Sequence, residues 1–268
     1  MKHLNSTPTL NLYLDELQAH GRYIYYKQDA LKALKINDSA LRVSTYRLAH
    51  KGRLVQPKRG FFLIIPLEYR EMGCLPATWF IDALMRFLEQ PYYVGLLSAA
   101  ALHGAAHQQP QVFQVITNKI IKPIRIGRIH VIFIYKKKWP ETSLLQSIQT
   151  ETGHMLVSNP AMTAFDCVRY YKHAGYFNNI ITVVEELVES ISVASLIEAT
   201  KHFELATIQR LGYLLEKIEC AELAQTLEKY LSDKKLQYIQ FIPGGKHPLV
   251  EKSERWHLEI NEIIESDL

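Results

Sequence analysis

Apolar residues first repeat at helical spacing over 9–19, where Leu10, Tyr13, Leu14 and Leu17 share one face before His20-Gly21 ends the run. Tyr23-Ile24-Tyr25-Tyr26 is a short extended segment. Lys27–Leu34 follows as a second helix, with Asp29 in its first turn. A third helix is predicted over 38–51. Asn37-Asp38-Ser39 offers side-chain oxygens to cap it. Leu41 and Leu48 lie seven apart, with Ser44 and Thr45 on the same narrow stripe. Arg42, Val43, Tyr46 and Arg47 occupy the other face, and Gly52 fits a left-handed C-cap. Arg53-Leu54-Val55 then reads as a strand, Pro57-Lys58-Arg59-Gly60 as a basic turn, and Phe61 to Ile65 as the returning strand. Helices followed by a hairpin with a basic tip form the layout of a winged helix-turn-helix, here over residues 1–66. Its expected core is Leu14, Leu17, Leu31, Leu41, Leu48, Leu54 and Phe62.

That layout points to double-stranded DNA. A helix fits the major groove, so Ser39, Arg42, Val43, Tyr46 and Arg47 are candidates for reaching base edges. Lys58 and Arg59 on the wing are placed to meet phosphates. The plainer reading is a helix and hairpin that only pack, since the same fold also serves protein interactions. Tyr25 and Tyr26 are expected in the core rather than stacked on bases.

Beyond residue 66 the pattern predicts a mixed α/β domain over 67–268, giving an α+β chain. Pro66, Gly73 and Pro76 punctuate the boundary. Helices are predicted over 77–89 and 92–104, the second rich in Gly and Ala. Strands follow over 112–117 and, meeting near Gly127, over 121–135, then at 152–158. Asn159-Pro160 opens another helix. Residues 175–268 read as mainly helical, with candidates at 180–189, 192–202, 205–218 and 221–231, the last two as a hairpin turning near Cys220. Gly212 inside a helix costs about 1 kcal/mol against Ala, which marks a close contact there. Short strands are predicted at 237–243 and 255–261.

Composition narrows the class. With 48% hydrophobic residues in 268, the chain can bury a sizeable core. Three scattered cysteines, Cys74, Cys167 and Cys220, argue against a disulfide frame or zinc finger and for a reducing compartment. No apolar run suits a signal peptide or a membrane span, so a cytoplasmic protein is expected. Charge is uneven: 1–66 holds 11 Lys+Arg against 4 Asp+Glu, whereas 175–268 holds 9 against 16. A basic front suits nucleic acid, while an acidic back is either a partner surface or a soluble face.

A second basic group, Lys119, Lys122, Arg125, Arg128, Lys136, Lys137 and Lys138, either extends a DNA footprint or protects a sheet edge by charge. Other chemistry is thin. His103 and His107 are four apart, but no third ligand lies near and Gly104 interrupts the helix, so no metal is expected. Asp166 has no carboxylate partner at helical spacing and reads as structural. Residues 244–248 lack a phosphate-loop pattern. Strand 124–135 has no acidic residue, which disfavours a metal-dependent nuclease with a winged-helix targeting domain. The chain is therefore read as no enzyme and without cofactor.

The series KRGFFLIIP, YYVGLLSAAALHGAAHQQP, SNPAMTAFDCVRY, QRLGYLLEKI and terminal RWHLEIN resembles the AbiEi-type antitoxins of type IV, abortive-infection (phage-defence) toxin–antitoxin systems. The resemblance covers nearly the full length, and ALHG and RLGYLLE carry most of it. Phe62 stands where the usual G-x-Y wing has Tyr. The resemblance implies a winged-helix transcriptional regulator that binds its own operon, and a larger domain that counters a nucleotidyltransferase-like toxin without stable binding being required. It also implies a further DNA contact that suits the group at 119–138. A ligand-responsive winged-helix transcription factor is the alternative.

Overall fold

The structure, a computed structural model, describes residues 9–105, 110–244 and 248–264. His107 and Gly245–His247 thus lie outside the described residues. In chain order the elements are α1 (Leu10–Ala19), β1 (Ile24–Tyr26), α2 (Lys27–Leu34), α3 (Asp38–His50), β2 (Leu54–Lys58) and β3 (Phe61–Ile64). Then come α4 (Ala77–Phe87), β4 (Tyr92–Val94), α5 (Leu96–Leu102), β5 (Phe113–Thr117), β6 (Ile124–Ile126), β7 (Ile129–Tyr135), β8 (Leu145–Thr150) and β9 (Gly153–Ser158). Last are α6 (Pro160–Arg169), α7 (Tyr176–Leu187), α8 (Val193–Thr200), α9 (Leu205–Lys217), α10 (Ala221–Leu231), β10 (Ile239–Gln240), β11 (Glu251–Ser253) and β12 (Leu258–Ile260). This is a mixed α+β chain whose described strands form sheets of three, three and six strands. It divides into two compact units: Met1–Tyr92 with Lys119–Ile134 and Ile148–Met155, and Tyr93–Asn118 with Tyr135–Ser147 and Leu156–Leu268.

In the first unit, Thr9 and Asn37 cap α1 and α3 by accepting from the backbone N–H of Leu12 and Ala40. The small sheet has the order β1-β3-β2, antiparallel throughout, with Tyr25 opposite Phe62 and Leu54 opposite Ile64. Strand β2 runs on through Pro57 to Lys58, past the expected turn. The register shifts between Val55 and Lys58, which accommodates a proline that has no N–H for the ladder. The turn is then only Arg59-Gly60, with Gly60 at φ +89°. Leu14, Leu17, Leu41, Leu48, Leu54 and Phe62 form the core with Tyr25, whose ring stacks on Phe62 at 4.8 Å, while Leu31 packs at its margin. Helix α4 joins this unit through aromatic contacts, Trp79 against Tyr23 and Tyr69, and Phe87 against Tyr26 and Phe61. The hairpin β6–β7 turns at Gly127, where a Cβ would lie 2.1 Å from the Met72 carbonyl oxygen.

In the second unit, the helix expected from Tyr92 is a strand followed by a shorter helix. Pro91, the β-prone Tyr92-Tyr93-Val94 and Gly95 explain the change. A Cβ at Gly95 would meet the Ile116 side chain at 2.9 Å. Val94 pairs in parallel with Val157. Asn159 caps α6 with Pro160 in its first turn. Strand β8, reading LQSIQT, was not expected, because its polar positions and two apolar ones lack β-branched density. The two terminal strands are shorter than expected. They lie side by side in parallel as β10 and β12, with β11 completing the order β10-β12-β11. Gly212 meets its predicted close neighbour: a Cβ there would sit 2.1 Å from the buried Trp256 ring.

Candidate nucleic-acid interface

Helix α3 sorts its side chains by burial. Leu41 and Leu48 are buried and Ser44 and Thr45 half-buried, whereas Ser39, Arg42, Val43, Tyr46 and Arg47 are exposed. Val43 and Tyr46 keep 48% and 65% of their surface in solvent. The Tyr46 ring meets His50 edge-on at 4.4 Å. Arg59 on the hairpin tip is exposed and Lys58 half-buried. Arg42, Arg47, Lys58 and Arg59 form no ion pair among the described residues. Between α3 and the hairpin runs a groove of about 230 Å³, lined by Lys27, Asp38, Arg42, Thr45, Gln56 and Arg59 among others. Lys27, which sequence reasoning passed over, pairs with Asp38 at 2.5 Å. Its signal was its place at the start of α2, next to the returning strand, where its N–H donates to the Gly60 carbonyl. Tyr25 is fully buried and Tyr26 stacks on Phe87, so neither presents a free ring.

The second basic group is divided between the two units. Lys119, Lys122, Arg125 and Arg128 are exposed in the first unit. Arg128 pairs with Glu71 at 3.1 Å, and Arg125 Nε donates to His130 Nε2 at 3.2 Å. Partial burial, then the Arg125 charge, pull the His130 pKa down, in keeping with a neutral ring that accepts. Lys137 and Lys138 are exposed in the second unit.

Lys136 is a correction: it is buried and cannot touch a phosphate. Its ammonium donates to Asp166 Oδ1 at 3.0 Å and sits 3.8 Å from the centre of the Phe203 ring. Tyr93 donates to the other carboxylate oxygen at 2.8 Å. Asp166 therefore has partners from segments distant in sequence, a cation and a phenol that hold it in the buried core. Burial pushes its carboxyl up, while Lys136 and Tyr93 pull it back. Burial and the Asp166 charge push the Tyr93 phenol well above its ordinary range. The clue to Lys136 lay in strand alternation: it shares a face with buried Ile134, whereas Lys137 shares one with exposed Tyr135.

The other motif residues also bind the chain to itself. His103 ends α5 and its Nε2 donates to the Ser158 carbonyl at 2.7 Å, with Gly104 at φ +80° just beyond. On α9, Gln209 donates to the Trp256 carbonyl, Gly212 admits the Trp256 ring, and Glu216 accepts from both Arg255 and Trp256 Nε1. The apolar and glycine pattern of RLGYLLE is thus the seat of RWHLEIN. Among the described residues no group of three His, Cys, Asp or Glu is placed to hold a metal ion.

Residues 93–217 match the family model of the AbiEi antitoxin C-terminal domain, a match consistent with an AbiEi-type antitoxin. That stretch contains the Tyr93–Asp166–Lys136 network and α9. Among solved structures the chain is similar to the crystal structure of the RV2827C protein from Mycobacterium tuberculosis. The two are 17% identical over 92% of this chain and 89% of that one, with a TM-score of 0.67, a likeness of fold. No curated protein matches the chain.

Proposed function

We propose that the chain is the antitoxin of a type IV toxin–antitoxin, phage-defence system and a transcriptional autorepressor of its own operon. The AbiEi antitoxin domain supports a toxin–antitoxin role and a regulator in place of an enzyme. For DNA binding, the supporting observation is the outward face of α3 beside the hairpin. Arg42, Arg47, Lys58 and Arg59 there form no ion pair among the described residues, next to solvent-exposed Val43 and Tyr46. In this reading, residues up to 66 are a winged helix-turn-helix. Ser39, Arg42, Val43, Tyr46 and Arg47 approach base edges in the major groove, and Lys58 and Arg59 touch phosphates. The protein works in the cytoplasm, where its DNA and a nucleotidyltransferase-like toxin are met, and it opposes the toxin without needing a stable complex. No helix among the described residues is long and apolar enough to cross a membrane.

The test separates the two activities. Arg42→Ala/Arg47→Ala is expected to weaken operator binding by about 1–3 kcal/mol for each guanine read and to relieve repression. Expressed from an unrelated promoter, the same folded variant is expected to rescue cells from the neighbouring toxin as well as the parent does. An unchanged binding isotherm removes α3 from the interface. Rescue lost in step with repression reduces the protein to a repressor alone.

A further inference from the structure

The second unit holds a cavity of about 340 Å³ between the end of α6 and the first turns of α9, lined by Arg169, Tyr171, Glu204, Ala206, Thr207 and Arg210 among others. Two guanidiniums meet it, and they are differently placed. Arg169 pairs through Nε with Glu204 at 2.9 Å, in a pair whose side chains keep 46% and 61% of their surface. Such an exposed pair gains little over water and can be exchanged for a better partner. Arg210 has no carboxylate partner among the described residues. It donates to the carbonyls of Phe241 at 2.7 Å, Gln240 at 2.8 Å and Ala206 at 3.3 Å. Three of its five N–H groups are thereby used and two remain. Carbonyl partners hold the group in place and leave its positive charge uncompensated. Burial, its main cause, and Arg169 pull its pKa down to about 10, so it remains charged at neutral pH.

We propose that this cavity binds a small phosphomonoester, with the phosphate held between Arg210 and Arg169. The charges favour phosphate over carboxylate. A monoanion satisfies Arg210 alone and leaves Glu204 where it is. A dianion satisfies both guanidiniums, repels Glu204 to solvent and offers enough acceptors for forked donors on two sides. The volume is larger than a bare phosphate needs, so the anion comes with an organic part, for which the Tyr171 ring and Ala206 supply apolar wall. Nothing in this step depends on DNA binding, since every residue named lies in the second unit.

The experiment is calorimetric titration of the full chain with adenosine monophosphate and with glucose 6-phosphate, with acetate as the monoanionic control. Saturable binding of at least one ester is expected at millimolar concentration, and acetate is expected to bind at least about tenfold more weakly. Arg169→Gln removes one clamp at an exposed position, and Ala206→Phe fills the space without touching a charge. Each is expected to weaken the ester by about tenfold or more while thermal unfolding stays near that of the parent. No saturable ester binding to the parent overturns the proposal. So does binding that survives both folded variants, or acetate binding as tightly as the esters.

Discussion

Helix α3 and the segment just past strand β7 each place cationic side chains next to an apolar core, and they treat them in opposite ways. On α3 the period of 3.6 turns Arg42 and Arg47 away from Leu41 and Leu48, and no carboxylate follows them. Just past β7 the period of two carries Lys136 inward behind Ile134, onto Asp166 and Tyr93. Outward cations without partners are free for a partner molecule. An inward cation is already consumed, and its worth is measured in folding. Net charge counts both alike, which is why the run Lys136-Lys137-Lys138 looks like one surface in the sequence and is not.

The largest effect expected from this contrast lies at the buried pair. Asp166→Ala leaves Lys136 charged and enclosed, and is expected to lower stability by about 3–5 kcal/mol in urea unfolding. Replacing both partners with apolar residues, as in Lys136→Met/Asp166→Leu, is expected to recover most of that loss, because the cost comes from the orphaned charge. A single variant as stable as the parent breaks the contrast outright.

Next comes the seat of the terminal segment. Gly212→Ala forces a methyl into the Trp256 ring and is expected to cost about 1–3 kcal/mol by overpacking, less the ~1 kcal/mol that Ala gains in a helix. The thermal midpoint is expected to fall, and Gly212→Ala/Trp256→Leu to fall by less than the two single changes together. Additive losses remove the contact from the account. At the tip of the β2–β3 hairpin the effect is smaller still in stability and visible only in binding. Lys58→Ala/Arg59→Ala is expected to weaken all DNA sequences alike and to lower the salt slope by about 2, near 0.9 for each phosphate lost. Changed sequence preference at an unchanged slope assigns the hairpin tip to base reading instead.

Local pattern carried the front of the first unit well, because α1 and α3 each have their own side-chain cap and a clean apolar stripe. Asn37, Thr9 and Gly60 do their work within a few residues of themselves. The second unit was legible where a residue type is demanding, as at Gly212 and Asn159, and illegible where the partner is far away. Asp166 finds Tyr93 73 positions upstream, and no spacing rule reaches that far. Tyr92 to Val94 failed for the opposite reason: three residues are too few to show a period, and the alanine-rich run behind them suggested one continuous helix. The exposed face of α3 was readable as a surface. The DNA expected to bind it rested on the order of helix, cap, glycine stop and basic turn, not on any side-chain contact.

The smallest expected effect is the finest test of the contrast, because it stays within one run of three lysines. Lys137 and Lys138 are exposed, and neither forms an ion pair among the described residues. Lys137→Ala/Lys138→Ala is therefore expected to change stability by no more than about 0.5 kcal/mol, whereas Lys136→Ala leaves a buried carboxylate without its cation and falls with the Asp166 variants. The same double variant decides what the second basic group does. As phosphate contacts, these two lysines flatten the salt dependence of DNA binding by about 2 when removed. As charges that merely solvate a sheet edge, they leave the slope of the parent protein in place. A stability loss comparable to that of Lys136→Ala shows that alternation does not govern this stretch, and with it falls the physical reason for separating a cation used in folding from one left for binding.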